Sequence, residues 1–520
     1  MKKVWKGFAA AVSAAAIAAT GFIGATSANA VVTETASVNF TNWQSGNVVT
    51  PYLILNIESE NIEAGNTNYV YSVNAANKAA VIAGMNAIKA EGAADIAANV
   101  TDADLIKAVL DGLNSTNVEQ FATAFMGASP TPGNTINNAS ANIQQGYYLF
   151  DLTTVGGSGT AAGSNQYTKS RYMVDTVGSA GASITIKNGS VTLVKKVKDN
   201  PTDPETGSTN SGWNDSADYA IGDTVPFQLT GTLPEQYGEY DKYYYQFVDT
   251  MSVGLTYSGN DKVTIKSGST DLTNCFDIAS EGTGPTTLKF TAKNKNLKTC
   301  AAAAGLKAGD SIVVEYEATL NDHAVIGTAG NPNTAKLVFS NDPKQQGEGD
   351  TAETPEDLVK VFTYDFQGTK EFTITPNDND LPVFKLTNTS TNKVYDNLRV
   401  TKQADSTYKF DVKGIDAGDY KLEETYTPAG FNKAADVMFT LKAVHDAEST
   451  DPQVTITVTP TIENAASRTA TGAAATVVNT GGNKLPETGG MGTTVLYAAG
   501  AAIVLIAGIG LAVVLRRRQA

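Results

Sequence analysis

The sequence predicts a mainly β chain built from tandem β-sandwich domains, with a helical insertion in the first. Three observations predict it. Short runs rich in Val, Thr, Tyr and Phe recur between turn residues along most of the 520 residues. Thr, Asn, Gly and Val are plentiful, while Met numbers only 7, a composition that suits many strands joined by turns. The one long interruption, residues 75–126, is Ala-rich and carries apolar positions at helical spacing.

Residues 1–30 read as a secretory signal peptide. Lys2, Lys3 and Lys6 precede an apolar run that ends in Ala28-Asn29-Ala30, a small-residue cleavage site. Residues 31–190 form a first domain. It opens with strand-like text (VVTETASVNF, PYLILNI, YVYSV) and closes with ASITIKN. Its helical segments (AAVIAGMNAIKA, ADLIKAVLDGL, VEQFATAFM) are expected to cover a sheet. Gly156 to Ser164 reads as a mobile loop.

Residues 191–365 form a second domain. Its strand signals (VTLVKKV, TVPFQLTGTL, YYYQFVDT, KVTIKSG, TLKFTA, SIVVEYEATL, TAKLVFSN) fit an immunoglobulin-like sandwich. The polar, turn-rich text at 345–357 reads as a linker. A third, smaller β-domain occupies 366–480 and is followed by the tether TGGNK.

The far end carries Leu485-Pro486-Glu487-Thr488-Gly489, an apolar segment at 495–515 and then Arg516-Arg517-Arg518. The apolar segment is long enough to span a bilayer, and the arginines would hold its end in the cytoplasm. Removing both ends takes away three Lys and three Arg and no acid, so the formal charge falls from −15 to −21. Such an acidic surface argues against nucleic acid as a partner. Only two histidines, His323 and His445, occur, and HExxH, CxxC, P-loop and GxSxG patterns are absent. No enzyme, cofactor or metal is expected. The two cysteines, Cys275 and Cys300, could form a disulfide outside the cell or stay as two thiols.

The Leu485–Gly489 motif, the apolar segment and the basic tail (485–520) together resemble the sorting signal read by sortases. The resemblance implies cleavage between Thr488 and Gly489 and transfer of Thr488 to an amine. The whole chain resembles the major (backbone) pilins of sortase-assembled pili on Gram-positive bacteria. Those proteins are stacks of collagen-adhesin A/B-type sandwiches, each often locked by a Lys–Asn isopeptide bond. In such a bond a buried, neutral lysine attacks an asparagine carboxamide beside a protonated carboxyl group, because burial disfavours both charged forms.

In VTLVKKVKD, strand alternation puts Lys195 on the face of Val191, Leu193 and Val197, and Lys196 and Lys198 on the other. Lys195 is therefore the candidate amine of the second domain. In TAKLVFSND, Leu337, Phe339 and Asn341 share a face, which nominates Asn341, with Asn333 second. The family's acid lies in text like DTMSVGL, which nominates Asp249. In the third domain, YKLEETYTPAGF resembles the box of collagen-adhesin B-type domains, with Glu424 as the buried acid. Resemblance then nominates Asn479 on the last strand and Lys370 on the first, although TKEFTI and LPVFKL depart from the family's pattern there.

The family also has an exposed lysine that joins Thr488 of the next subunit. By position it corresponds to Lys187 in ITIKN, eight residues before Lys195, with Lys169 as runner-up. The resemblance implies a secreted shaft subunit, polymerised and anchored to cell-wall peptidoglycan. Its expected partners are a pilus-specific and a housekeeping sortase, other copies of itself, peptidoglycan, and a host glycan or matrix ligand. The alternative is a monomeric LPXTG-anchored adhesin or ancillary pilin.

Overall fold

The structure is a computed structural model that describes residues 34–482, apart from 64–65, 157–165, 201–211, 346–348 and 463–464. The signal peptide, most of the loop at 156–164, the sorting motif at 485–489 and the apolar segment at 495–515 lie outside the described residues. Among the described residues, no helix is long and apolar enough to cross a membrane.

The chain is mainly β, in tandem sandwiches. The first unit pairs a three-stranded sheet with a four-stranded one. In the smaller sheet, Thr35–Thr41 lies between Ser140–Gln144 and, in parallel, Ala182–Thr185. In the larger, Val48–Glu63 and Gly146–Thr154 are central. Val38, Phe40, Phe150 and Ile184 pack between the sheets.

The helices Lys78–Ala87, Asp102–Gly112 and Val118–Gly127 cover the larger sheet, burying Val81, Leu105, Phe121 and Phe125 against Leu55 and Leu149. Thr101 starts the second helix, its side chain accepting from the Asp104 N–H at 3.2 Å, which satisfies one of the amides a helix start leaves open. Gly84 lets the first helix approach the third: a Cβ there would lie 2.6 Å from the Phe121 ring.

The middle unit is a sandwich of two larger sheets. One contains Asn331–Ser340, Tyr245–Met251 and Thr286–Ala292 as neighbours. The other contains Ser311–Leu320, Thr224–Thr232 and Leu193–Lys198. Burial alternates strictly along Thr224–Thr232, Tyr245–Met251 and Ser311–Leu320, as period-two patterning requires. Cys275 and Cys300 are joined by a disulfide, with Cα atoms 5.6 Å apart.

Much of the polar text read as a linker is not one. Thr351–Glu353 pairs with Val338–Ser340, and the Thr354 N–H donates to the Leu337 carbonyl at 2.9 Å. A sheet edge offers unpaired main-chain groups, and even polar residues can satisfy them. Asp357–Phe362 continues into the same sheet.

The last unit packs two five-stranded sheets. Tyr364–Phe372 runs parallel to Gly472–Asn479 in one. Val383–Asn388 and Gly418–Tyr426 are neighbours in the other. Phe384 and Phe410 stack at 4.4 Å between the sheets.

The units are joined by polar contacts. Lys344 meets Asp151 at 2.5 Å across the first junction. At the second, Lys393 meets Asp223 at 2.6 Å, and the Ile221 N–H donates to the Gly414 carbonyl at 2.9 Å.

Candidate functional sites: two buried clusters of amine, acid and carboxamide

Lys195 sits in the Leu193–Lys198 strand with its side chain fully buried. Val197 shares its face, while Lys196 turns outward to Asp215 and Glu448, both at 2.8 Å. The Lys195 amine lies over aromatic carbon, 5.2 Å from the Phe227 ring centroid and 5.5 Å from that of Tyr316. It contacts the Asp249 carboxyl directly. Asp249 projects from Tyr245–Met251 in the opposite sheet, so this contact crosses the sandwich.

Tyr316 ties the cluster together. Its hydroxyl donates to Asp249 Oδ1 at 2.8 Å and accepts from Lys195 Nζ at 3.1 Å and from Asn333 Nδ2 at 2.8 Å. Asn333 is fully buried, and its Oδ1 makes no hydrogen bond. Burial lowers the Lys195 amine from its ordinary range, against the opposing pull of Asp249. Burial also raises the Asp249 carboxyl, although Lys195, Tyr316 and Asn333 oppose it. Both shifts favour a neutral amine beside a protonated acid.

The structure brings Asn333, not Asn341, to the cluster around Lys195 and Asp249. Asn341 and Asn333 share strand parity, so the face alone could not separate them. Register does: Asp249 pairs with Ala335, next to Asn333, whereas Phe339 pairs with Tyr245 at the far end. Asn341 is eight residues beyond Asn333, roughly 26 Å along an extended strand. It lies instead at the junction with the first unit, its carbonyl accepting from the Lys169 N–H at 2.6 Å. Tyr316 was legible in the sequence only as an inward position of SIVVEYEATL.

The third unit holds a second cluster. Lys370, Glu424 and Asn479 are each at most 2 % exposed. Lys370 and Asn479 come from the parallel neighbours Tyr364–Phe372 and Gly472–Asn479, and Glu424 from the facing sheet. Asn479 Nδ2 donates to both Glu424 oxygens, at 3.0 and 3.1 Å, and to the Asn432 carbonyl at 2.6 Å. The Ala434 N–H donates to Glu424 Oε2 at 2.5 Å.

The Lys370 amine donates to the carbonyls of Val477, at 2.9 Å, and Glu371, at 2.5 Å, and lies 4.4 Å from the Phe372 centroid. Its register partner is Val477, two residues before Asn479. Burial lowers this amine to about 8, with Glu424 and Glu371 opposing. Asn479 Oδ1, like that of Asn333, makes no hydrogen bond. Asn432 and Ala434 lie outside the sequence motif, and nothing in the text marked them.

Lys187 follows the Ala182–Thr185 strand and is partly exposed, and its carbonyl accepts from Ser170 Oγ at 2.8 Å. Lys169 is committed to two carboxylates, Asp350 at 2.5 Å and Asp342 at 3.3 Å. Burial pulls its amine down, but Asp350 and Asp342 outweigh that and raise it. Thr488, with Leu485, Pro486, Glu487 and Gly489, lies outside the described residues.

Residues 221–343 match the family described as Gram-positive pilin backbone subunit 2, Cna-B-like domain, and residues 477–520 match the LPXTG cell wall anchor motif. A curated relative, the trypsin-resistant surface T6 protein of Streptococcus pyogenes, is 25% identical over 289 residues, which is 53% of this chain. The chain spans about half the length of that relative, 49%. Among solved structures, the T6 backbone pilin of serotype M6 Streptococcus pyogenes, described as a modular three-domain structure, is similar with a TM-score of 0.52 and 16% identity. That match covers 86% of this chain and 99% of the other. The major pilin SpaA of Corynebacterium diphtheriae gives a TM-score of 0.47 and 13% identity, covering 86% of this chain and all of the other, 100%. The chain thus carries a middle domain of the Gram-positive pilin backbone family and a terminal LPXTG cell wall anchor motif, in a fold similar to that of a three-domain backbone pilin.

Proposed function

We propose that the protein is a structural shaft subunit of a wall-anchored pilus, and that its middle and last domains crosslink themselves through Lys195–Asn333 and Lys370–Asn479. The observation that carries this reading is the repeated burial of an amine, an acid and a carboxamide in two successive sandwiches. Each bond forms when the neutral lysine nitrogen adds to the asparagine Cγ. The neighbouring acid, Asp249 or Glu424, polarises the carbonyl oxygen and passes the amine's proton to the departing nitrogen. A C–N bond forms, another breaks, and one ammonia leaves. Turning each asparagine amide about its last torsion brings the unbonded Oδ1 toward the acid. Tyr316 positions the acid and the carboxamide of the middle domain.

Subunits then join through Thr488 of one copy and Lys187 of the next, with sortases as the transpeptidases and peptidoglycan as the final acceptor. Lys187 is preferred to Lys169 because a nucleophile must shed its proton, and the two carboxylates around Lys169 hold its proton on. The test is an immunoblot of cell-wall extracts boiled in detergent. A high-mass ladder in wild type that collapses to monomer in Lys187→Ala supports the reading. A ladder that persists moves the link to another lysine. A single wall-linked band in wild type overturns the shaft and leaves a monomeric adhesin.

A further inference from the structure

At the junction of the middle and last domains, three side chains converge that the crosslinking chemistry does not use. Asp199 follows the strand that carries Lys195, and Asp218 ends Ser216–Asp218. His445 ends Val437–His445 of the last domain. All three are buried, and one ligand atom from each lies within 4.8 Å of the others. His445 Nε2 is 3.2 Å from Asp199 Oδ2 and 3.9 Å from Asp218 Oδ1.

The tautomer of His445 follows from its other nitrogen. Ser216 Oγ has one hydrogen and donates it to the Asp446 carbonyl at 2.6 Å. Toward His445 Nδ1, at 2.8 Å, the hydroxyl must therefore accept, so Nδ1 carries the hydrogen. A neutral ring then aims the Nε2 lone pair at Asp199 and Asp218. Nε2 makes no hydrogen bond, nor does Asp199 Oδ2, although the His445 side chain is fully buried and that of Asp199 is 2% exposed. A lone pair facing carboxylate oxygens at a buried junction calls for a cation between them.

We propose that Asp199, Asp218 and His445 bind one divalent transition-metal cation, which fastens the middle domain to the last. Metal bonds of about 2.0–2.2 Å to nitrogen and oxygen put neighbouring ligand atoms about 3–4 Å apart, as His445 Nε2 stands from the two carboxylates. One imidazole with two carboxylates suits Zn²⁺ or Mn²⁺ better than Ca²⁺, which takes oxygen ligands. The Nδ1–H bond to Ser216 is the outer contact that fixes a ligating histidine. The spacing of the three residues in sequence hid the site, because no two belong to one motif.

The experiment uses the whole secreted protein, stripped with a chelator and dialysed against ZnCl₂ or MnCl₂, with metal per chain read by emission spectroscopy. One equivalent in wild type, lost in Asp199→Asn and His445→Gln, is the expected result, with binding weakened about 10- to 100-fold in Ser216→Ala. Wild type that takes up no stoichiometric ion overturns the proposal and leaves His445 paired directly with Asp199. Equal uptake by Asp199→Asn overturns it too. The wild-type titration decides the matter even if a variant does not fold.

Discussion

Lys195 and Lys370 are lysines in places where lysine is costly. An ammonium in an apolar core loses its hydration, so each persists only with a partner or as the neutral amine. Alternation within VTLVKKVKD was enough to select Lys195 over its neighbours, because a strand sends successive side chains to opposite faces. The choice between Asn333 and Asn341 needed register, which depends on pairing between distant strands and is not written in either strand alone. Asn333→Ala should therefore abolish one ammonia loss by intact mass, while Asn341→Ala should leave it unchanged.

Lys370 gives a pH prediction. In Asn479→Ala the amine has no carboxamide to attack and stays titratable. Folded, it gives up its proton at about 8. Unfolded, it holds the proton to about 10.4. Over that window the unfolded chain binds more protons, so stability rises with pH across it and the penalty is complete below about 8. The urea midpoint of the variant should be higher near pH 10 than near pH 7. A flat or falling midpoint would contradict the assignment.

Among the elements, the sandwich strands were legible because their alternation is regular and their turns are marked by Gly, Asn and Asp. The helices of the first unit were legible from their spacing, and they pack as a cover on its larger sheet. The strand Thr351–Glu353 was not, because a single small apolar residue, Ala352, stands between polar ones and its pairing comes from an open sheet edge.

The disulfide closes a loop of 25 residues in the middle sandwich. A Cys275→Ser, Cys300→Ser variant should lose about 3 kcal/mol in denaturant unfolding, as loop-closure entropy implies. In the last sandwich, Gly368 lies against Phe410, where a Cβ would come within 2.3 Å of the ring. Gly368→Ala should cost about 1–3 kcal/mol through overpacking. Denaturation midpoints check both.

The whole molecule is a series of sandwiches whose two proposed crosslinks are placed differently. Lys195–Asn333 would join the two sheets of the middle unit. Lys370–Asn479 would lock the first and last strands of the final unit side by side. Unfolding under load or protease is governed by how often a unit opens, and a covalent bond across the opening route suppresses it. Asp249→Asn with Glu424→Gln should leave the fold in place but remove both crosslinks. The doubly substituted protein should then be digested by trypsin faster than wild type. Equal rates would mean that the crosslinks are absent or do not protect.

The most direct measurement is the intact mass of the secreted wild-type protein beside Lys195→Ala and Lys370→Ala. The account predicts that wild type, reduced only at its disulfide, is lighter than its sequence by two ammonia molecules, and that each variant is lighter by one. Wild type at full sequence mass would contradict it.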